Sequence, residues 1–329
     1  MALGLATGLA SGCSRAPETP LAPAHRWCDD LPRPAHWSLE RVATSQDWFE
    51  VYRVSDGVLA IAEPYQFQEV ISYLIVGSEQ ALLFDTGLGI GKMGAVVREL
   101  TDRPVTVLNS HTHFDHVGGN ADFERILAMD TDYTRANARG FPHAVVAGEV
   151  APEALCRGLP AGVSAGDYRI RPFTPTEFVR DGHRIALGGR ELEVLHVPGH
   201  TPDAAALLDA DAGLLFTGDT FYEGPIWLFV PETDWTAYEK SVARLVSLAS
   251  RVRRVLPAHN SAVSDPGLLL ALRDAVAAVR SGRARRRELA GGRIEFAFDR
   301  FSFMTSPAAL DGATRSPKEG GSGLAETGS

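Results

Sequence analysis

The chain has 329 residues, 45% of them hydrophobic, enough for one large domain with tails. Its formal net charge of −9 and pI of about 5.6 exclude the strongly basic surface that nucleic-acid binding needs. No apolar run is long enough to span a bilayer as a mature segment, and Cys13, Cys28 and Cys156 form no CxxC pair, which argues against a thiolate zinc site or a thioredoxin motif.

Residues 1–12 are uncharged, small and apolar, and lead into Leu9-Ala10-Ser11-Gly12-Cys13. This stretch resembles the hydrophobic region and lipobox of a bacterial lipoprotein signal, although the positively charged start is missing. The resemblance implies export and membrane anchoring through a lipidated Cys13. In an oxidising compartment Cys28 and Cys156 would then be free to pair. Residues 14–34 are rich in Pro and Ala and read as a tether, so residues 1–35 are set apart from the domain.

Residues 48–54 (WFEVYRV) and 57–63 (GVLAIAE) read as two strands joined at Ser55-Asp56-Gly57. Residues 70–76 (VISYLIV) and 81–84 (ALLF) are two more, the last ending in Asp85-Thr86-Gly87. A helix is expected over 91–100, then a strand over 105–108. Residues 134–174 carry many Gly, Pro and Ala residues and little period, the mark of an inserted lid or binding loop. Phe141, Pro142, Leu155, Leu159, Tyr168 and Phe173 would mostly form its own small core, with some lining a cleft. Strands resume at 177–185, 190–197, 204–208 and 213–216. Asp234 reads as the N-cap of a helix with a stripe of Trp235, Tyr238, Val242, Leu245 and Leu248. A short strand at 254–256, a helix over 266–287 and a last strand at 294–303 follow, then a disordered tail over 304–329. Arg280, Arg283, Arg285, Arg286 and Arg287 suit a solvated helix C-terminus, the alternative being a clamp for an acidic group.

Chemistry concentrates in His111-Thr112-His113-Phe114-Asp115-His116, which holds three of the ten histidines. On an extended trace His111 and His113 point the same way, whereas Asp115 and His116 lie past the bend and can aim at a second point. Three further strand ends deliver one such group each: His200 in Pro198-Gly199-His200, Asp219 in Gly218-Asp219-Thr220, and His259 in Ala258-His259-Asn260. These nitrogen and oxygen donors suit zinc, with iron or manganese also compatible. Asp85 reads either as a turn residue or as an acceptor that fixes the tautomer of a ligating histidine.

This set, in this order, resembles the metallo-β-lactamase-fold superfamily of metallohydrolases over roughly residues 48–260. The resemblance implies an α/β (α+β) fold, a four-layer αββα sandwich of two mixed sheets with helices outside, here spanning residues 36–303. It implies two divalent metal ions, most simply zinc. His111, His113 and His200 would hold the first, Asp115, His116 and His259 the second, and Asp219 would bridge them. A hydroxide between the ions would attack an ester, thioester or lactone carbonyl, with Asp115 relaying a proton. A bridging Asp219 resembles the glyoxalase-II, lactonase and acyl-CoA-hydrolase branches more than lactam-cleaving enzymes or iron-dependent redox relatives. Tyr222 stands where lactonases carry a tyrosine that hydrogen-bonds the reacting carbonyl oxygen. An exported chain would meet little acyl-CoA, so export favours an extracellular small-molecule ester, lactone or amide.

Overall fold

The structure, a computed structural model, describes residues 27–311. The signal-like stretch with Cys13 and the residues after 311 lie outside the described residues.

Runs of β-branched and apolar residues, broken by glycine- and aspartate-bearing turns, form the strands. Eight of them make one sheet whose spatial order follows chain order: β1 (Glu40–Val42), β2 (Glu50–Ser55), β3 (Val58–Ala62), β4 (Ile71–Val76), β5 (Ala81–Phe84), β6 (Val105–Leu108), β7 (Ile126–Met129) and β8 (Glu177–Val179). The sheet is antiparallel from β1 to β5 and parallel from β5 to β8. Parallel neighbours need crossovers. These contain α1 (Met93–Leu100) and α2 (Phe114–Val117), then α3 (Asp132–Asn137) and α4 (His143–Val146) in the insertion.

The second half supplies β9 (Arg184–Ala186), β10 (Glu191–His196), β11 (Ala205–Asp209), β12 (Leu214–Gly218), β13 (Gly224–Leu228), α5 (Trp235–Ser247), β14 (Arg254–Pro257), α6 (Gly267–Arg280), β15 (Arg286–Glu288), β16 (Ile294–Ala297), β17 (Phe301–Thr305) and α7 (Pro307–Asp311). A second sheet runs β14-β12-β11-β10-β9, and a third runs β13-β17-β16-β15.

Side-chain alternation builds four layers. Leu82 and Phe84 of β5 meet Leu214 and Phe216 of β12 between the two large sheets. Leu83, on the other face of β5, packs with Val96 and Val97 of α1 and with Leu155, Tyr168 and Phe173 of the insertion. Leu215, on the other face of β12, packs with Tyr238, Val242 and Leu245 of α5 and with Leu269 and Leu272 of α6. Asp234 caps α5, its Oδ1 accepting the Ala237 N–H at 2.9 Å. The expected αββα sandwich is therefore present, with the third sheet added beside α5 and α6.

Some boundaries differ from the sequence reading. Residues 177–185 divide into β8 and β9, in different sheets, because Gly182 turns the chain at φ +77°. The helix from Gly267 stops at Arg280, where Gly282 adopts φ +68°, and Arg286 opens β15. The arginine run therefore leaves the helix, and its members Arg280, Arg286 and Arg287 pair with Glu239, Glu288 and Glu295. Residues 294–303 are a hairpin, β16 and β17, and order extends through Thr305 and α7 into what the sequence presented as a tail.

Residues 27–34, which the sequence presented as part of a tether, are fastened down together with the residues that follow, through 39. Cys28 and Cys156, 128 positions apart in sequence, form a disulfide with Cα atoms 5.7 Å apart. Arg33 pairs with Glu69. His36 is buried, its ring 4.8 Å from that of Tyr52, and its Nε2 accepts the Ala262 N–H at 3.1 Å.

Closing so long a loop stabilises the fold by up to about 5 kcal/mol in the chain-entropy limit. Native, unreduced protein should therefore show neither Cys28 nor Cys156 to a thiol reagent. Reduction should lower the denaturant midpoint. Burial pushes the His36 pKa down to about 4. Its unfolded value is about 6.5, so folding favours the neutral ring. The stabilisation is complete above pH 6.5 and is lost as pH falls toward 4, on the order of 3 kcal/mol. His36→Gln should reduce the pH dependence of stability in that window, measured by urea unfolding at pH 8, 6.5 and 5.

Candidate metal centre

Both large sheets deliver their loops to one edge. The Ala205 N–H donates to Ser110 O at 2.6 Å, and the Ile71 N–H to Ala258 O at 2.7 Å. Tyr73 Oη lies 2.7 Å from Pro257 O and 2.9 Å from Ala262 O, tying the β4 strand to the loop after β14. At this edge His111 follows β6, Asp219 follows β12 and His259 follows β14, while the turn between β10 and β11 carries His200. Close backbone approach requires glycine here: a Cβ at Gly118 would sit 2.2 Å from the Leu88 carbonyl carbon.

The seven expected ligands converge, and all are buried except the half-buried His113. In the first group His111 Nε2 is 2.9 Å from His113 Nδ1, and His200 Nε2 is 3.2 and 3.1 Å from those two atoms. The outer ring atoms fix the tautomers. His113 Nε2 lies 3.0 Å from Glu232 Oε1, and His200 Nδ1 lies 2.8 Å from Trp227 O. Both oxygens only accept, so both rings carry their proton there. The inner nitrogens of His113 and His200 thus face each other with lone pairs. Lone pairs at that distance repel unless a cation lies between them, so this donor set fits a metal ion.

The second group joins His116 Nε2, Asp115 Oδ2 and His259 Nε2, with His116 Nε2 at 3.3 Å and His259 Nε2 at 3.7 Å from the carboxylate oxygen. Asp219 lies between the groups. Its Oδ2 is 3.5 Å from His200 Nε2 and 3.2 Å from His259 Nε2, and its Oδ1 is 3.5 Å from His116 Nε2 and 3.1 Å from His259 Nε2. His116 Nε2 and Asp219 Oδ1 are buried without a hydrogen-bond partner, as metal-facing atoms would be.

Electrostatics separate the two groups. Burial and the neighbouring imidazoles hold His111 well below the usual histidine range, and burial takes His200 down to about 4, so both are neutral donors at pH 7. Burial also opposes charge on Asp219, but the imidazoles of His259 and His116 outweigh it and hold the carboxyl ionised. At His116 burial is outweighed by Asp115, Asp85 and Asp219, which draw positive charge to the second group.

Asp85 both turns the chain and faces a histidine ring. It sits at φ +68°, which Asp tolerates better than most residues, and its Oδ1 accepts the Ser110 N–H at 2.6 Å. Its Oδ2 lies 3.0 Å from His116 Nδ1, which leaves Nε2 free to face the second group. Tyr222 lines the cleft, but its hydroxyl donates to Pro225 O at 2.6 Å and accepts the Trp227 N–H at 3.2 Å. In this conformation its proton is committed. Tyr222 holds the strand residue whose carbonyl orients His200, and it offers no donor to the cleft.

Three orienting groups escaped the sequence reading. Glu232 accepts from His113 and also from Tyr133 Oη at 2.6 Å. Gln68 O lies 2.7 Å from His259 Nδ1. Asp203 gathers the hydroxyls of Thr112 (2.6 Å), Thr134 (3.0 Å) and Thr201 (2.7 Å), binding the loops of His111, His113 and His200 to one buried carboxylate. The available signal for Asp203 was its place three residues after His200. Glu232 offered none.

The orienting carboxylates predict separable effects. In Asp85→Asn the amide would donate to His116 Nδ1 and shift the ring proton to Nε2, the ligand atom, without changing a backbone that Asn also tolerates. Zinc affinity of the second group should fall about 10–100-fold. Glu232→Ala should do the same to the first group. Stepwise zinc titration of each variant checks this, and equal weakening of both sites in both variants would refute the assignment.

The family described as the metallo-beta-lactamase superfamily matches residues 68–285. Acyl-coenzyme A thioesterase MBLAC2 of Homo sapiens is 31% identical over 229 residues, covering 65% of this chain and 81% of its own. Hydroxyacylglutathione hydrolase GloC of Haemophilus influenzae is 26% identical over 162 residues, covering 49% of this chain and 70% of its own. A solved metallo-beta-lactamase family protein of Thermus thermophilus shares the fold, with a TM-score of 0.50 at 22% identity over 70% of this chain and 82% of that one. The chain belongs to the metallo-beta-lactamase superfamily, in the branch of hydrolases that includes the acyl-coenzyme A thioesterase and glyoxalase-II relatives.

Proposed function

We propose that this chain is a dinuclear metal-dependent hydrolase that splits an ester, thioester or lactone with water. The observation that carries the reading is Asp219, whose carboxylate stands within 3.5 Å of His200 in the first group and of His116 and His259 in the second. Two divalent ions, zinc by donor chemistry, would lower the pKa of a coordinated water toward neutrality and polarise the carbonyl. The chain's own residues do the rest. His113 and His200 are locked by Glu232 and Trp227 O, so the donor geometry is set before substrate arrives. Asp115 lines the cleft beside His116 and His259, where its free oxygen can take the proton released by the attacking water and pass it to the leaving sulfur or oxygen. The named thioesterase and glutathione thioester hydrolase relatives support a thioester above the other acyl compounds.

Export to an oxidising compartment belongs to the same proposal. The Cys28–Cys156 bridge supports it. Anchoring through Cys13 is proposed with it, and fractionation of cells expressing the whole sequence tests both.

Protein loaded with zinc and of known metal content should hydrolyse a thioester in a panel of ester, thioester, lactone and lactam. A chelator should abolish the activity. His113→Ala should lose metal and activity together, with kcat/KM falling about 1000-fold or more. Full activity in metal-poor His113→Ala, or silence across the panel with metal bound, would overturn the proposal.

A further inference from the structure

The cleft that opens onto the first ligand group encloses about 320 Å³, at the small end of ligand sites. Its walls are mostly Phe114, Tyr133, Phe141, Val145, Trp227 and Val230, with Gln68, Asn137 and Tyr222 adding uncharged polar groups. No lysine or arginine lines it. Apart from the ligands its one carboxylate is Glu232, already engaged by His113 and Tyr133. Phe141 and Val145 come from the insertion, which is anchored beneath them by buried Val146, Val150 and Leu155. Val145 stands 61% exposed at the mouth, an apolar side chain left in water beside an apolar wall.

We infer that this cleft holds the acyl half of the substrate, that it takes an uncharged apolar chain, and that Phe141 and Val145 set the chain length. The inference rests on the hydrolase reading and names its substrate class. The scissile carbonyl must reach the donors of His113, Asp115, His200 and Asp219, which form the floor of the cleft. What is attached to that carbonyl then lies against aromatic and aliphatic side chains. Each methylene buried there is worth about a fourfold gain. An ionised group at the far end of the acyl chain would lose its water among aromatic rings, with no cation to replace it. A chain that outgrows the cleft passes Val145 into solvent and gains nothing more.

N-acetylcysteamine thioesters from acetyl to dodecanoyl, given to the zinc-loaded full chain, test this. The expected kcat/KM rises about fourfold per methylene over the first few carbons and then levels off. The adipoyl monothioester should run about 100-fold below the hexanoyl compound. Val145→Asp should lower the octanoyl-to-acetyl ratio of kcat/KM about tenfold, and Phe141→Ala should move the levelling point to longer chains. A flat profile, or preference for the adipoyl compound, overturns the inference while leaving the hydrolase reading intact. If nothing in this series or in the ester, thioester, lactone and lactam panel is hydrolysed with both metals bound, the hydrolase reading fails. The cleft is then judged by binding alone: octanoate should change tryptophan fluorescence through Trp227 and bind about tenfold more weakly to Val145→Asp, and failure to bind overturns it.

Discussion

The structure depends on the convergence of buried donors from both sheets at one edge. His113 Nδ1 and His200 Nε2 lie 3.1 Å apart with lone pairs facing, while Glu232 and Trp227 O hold their ring protons on the far side. The surrounding framework imposes that spacing on the donors. Most of what is unusual around the cage serves that imposition. Asp85 accepts a left-handed backbone to aim at His116, Asp203 draws together threonines from two loops and α3, and Gly118 lets two loops touch backbone to backbone.

Division of labour follows from the layers. The first sheet brings His111, His113, Asp115 and His116, and the second brings His200, Asp219 and His259. Neither sheet alone completes either ligand group. The core between them, with Phe84 set against Phe216, therefore fixes the distance between donors as well as the stability of the fold. A cavity made there would be felt at the cage, because the strands that form the core end in the ligands.

That these seven side chains would gather at one edge was legible in the sequence because each stands just past a strand end, and both the side chains and the strand ends leave local marks. The two-sheet sandwich was legible for the same reason, from short apolar runs with turns between them. What orients the ligands was not. Glu232 sits in Val230-Pro231-Glu232-Thr233-Asp234, which reads as an approach to a helix cap, and its partner His113 lies 119 residues away. Gln68 acts through a backbone carbonyl, which carries no sequence signature at all. The β13 strand begins Gly224-Pro225 and pairs only with the distant β17, so neither composition nor a neighbouring turn announced it. The arginine run misled because charge near a helix end looks alike whether the chain continues as helix or turns into an edge strand such as β15.

The bridge between Cys28 and Cys156 divides the chain into a closed ring and an open remainder. Asp85 and the ligands from His111 to His116 lie inside the ring, and His200, Asp219 and His259 lie outside it. Ions shared through Asp219 would fasten ring to remainder, so the molecule would carry two unlike staples in series, one of sulfur within the first half and one of metal between the halves. Loss of the metal would loosen the halves from each other, whereas loss of the sulfur bond would open the first half itself. Mechanical unfolding or native-state hydrogen exchange would thus meet two separate boundaries in a molecule whose two sheets share one continuous core.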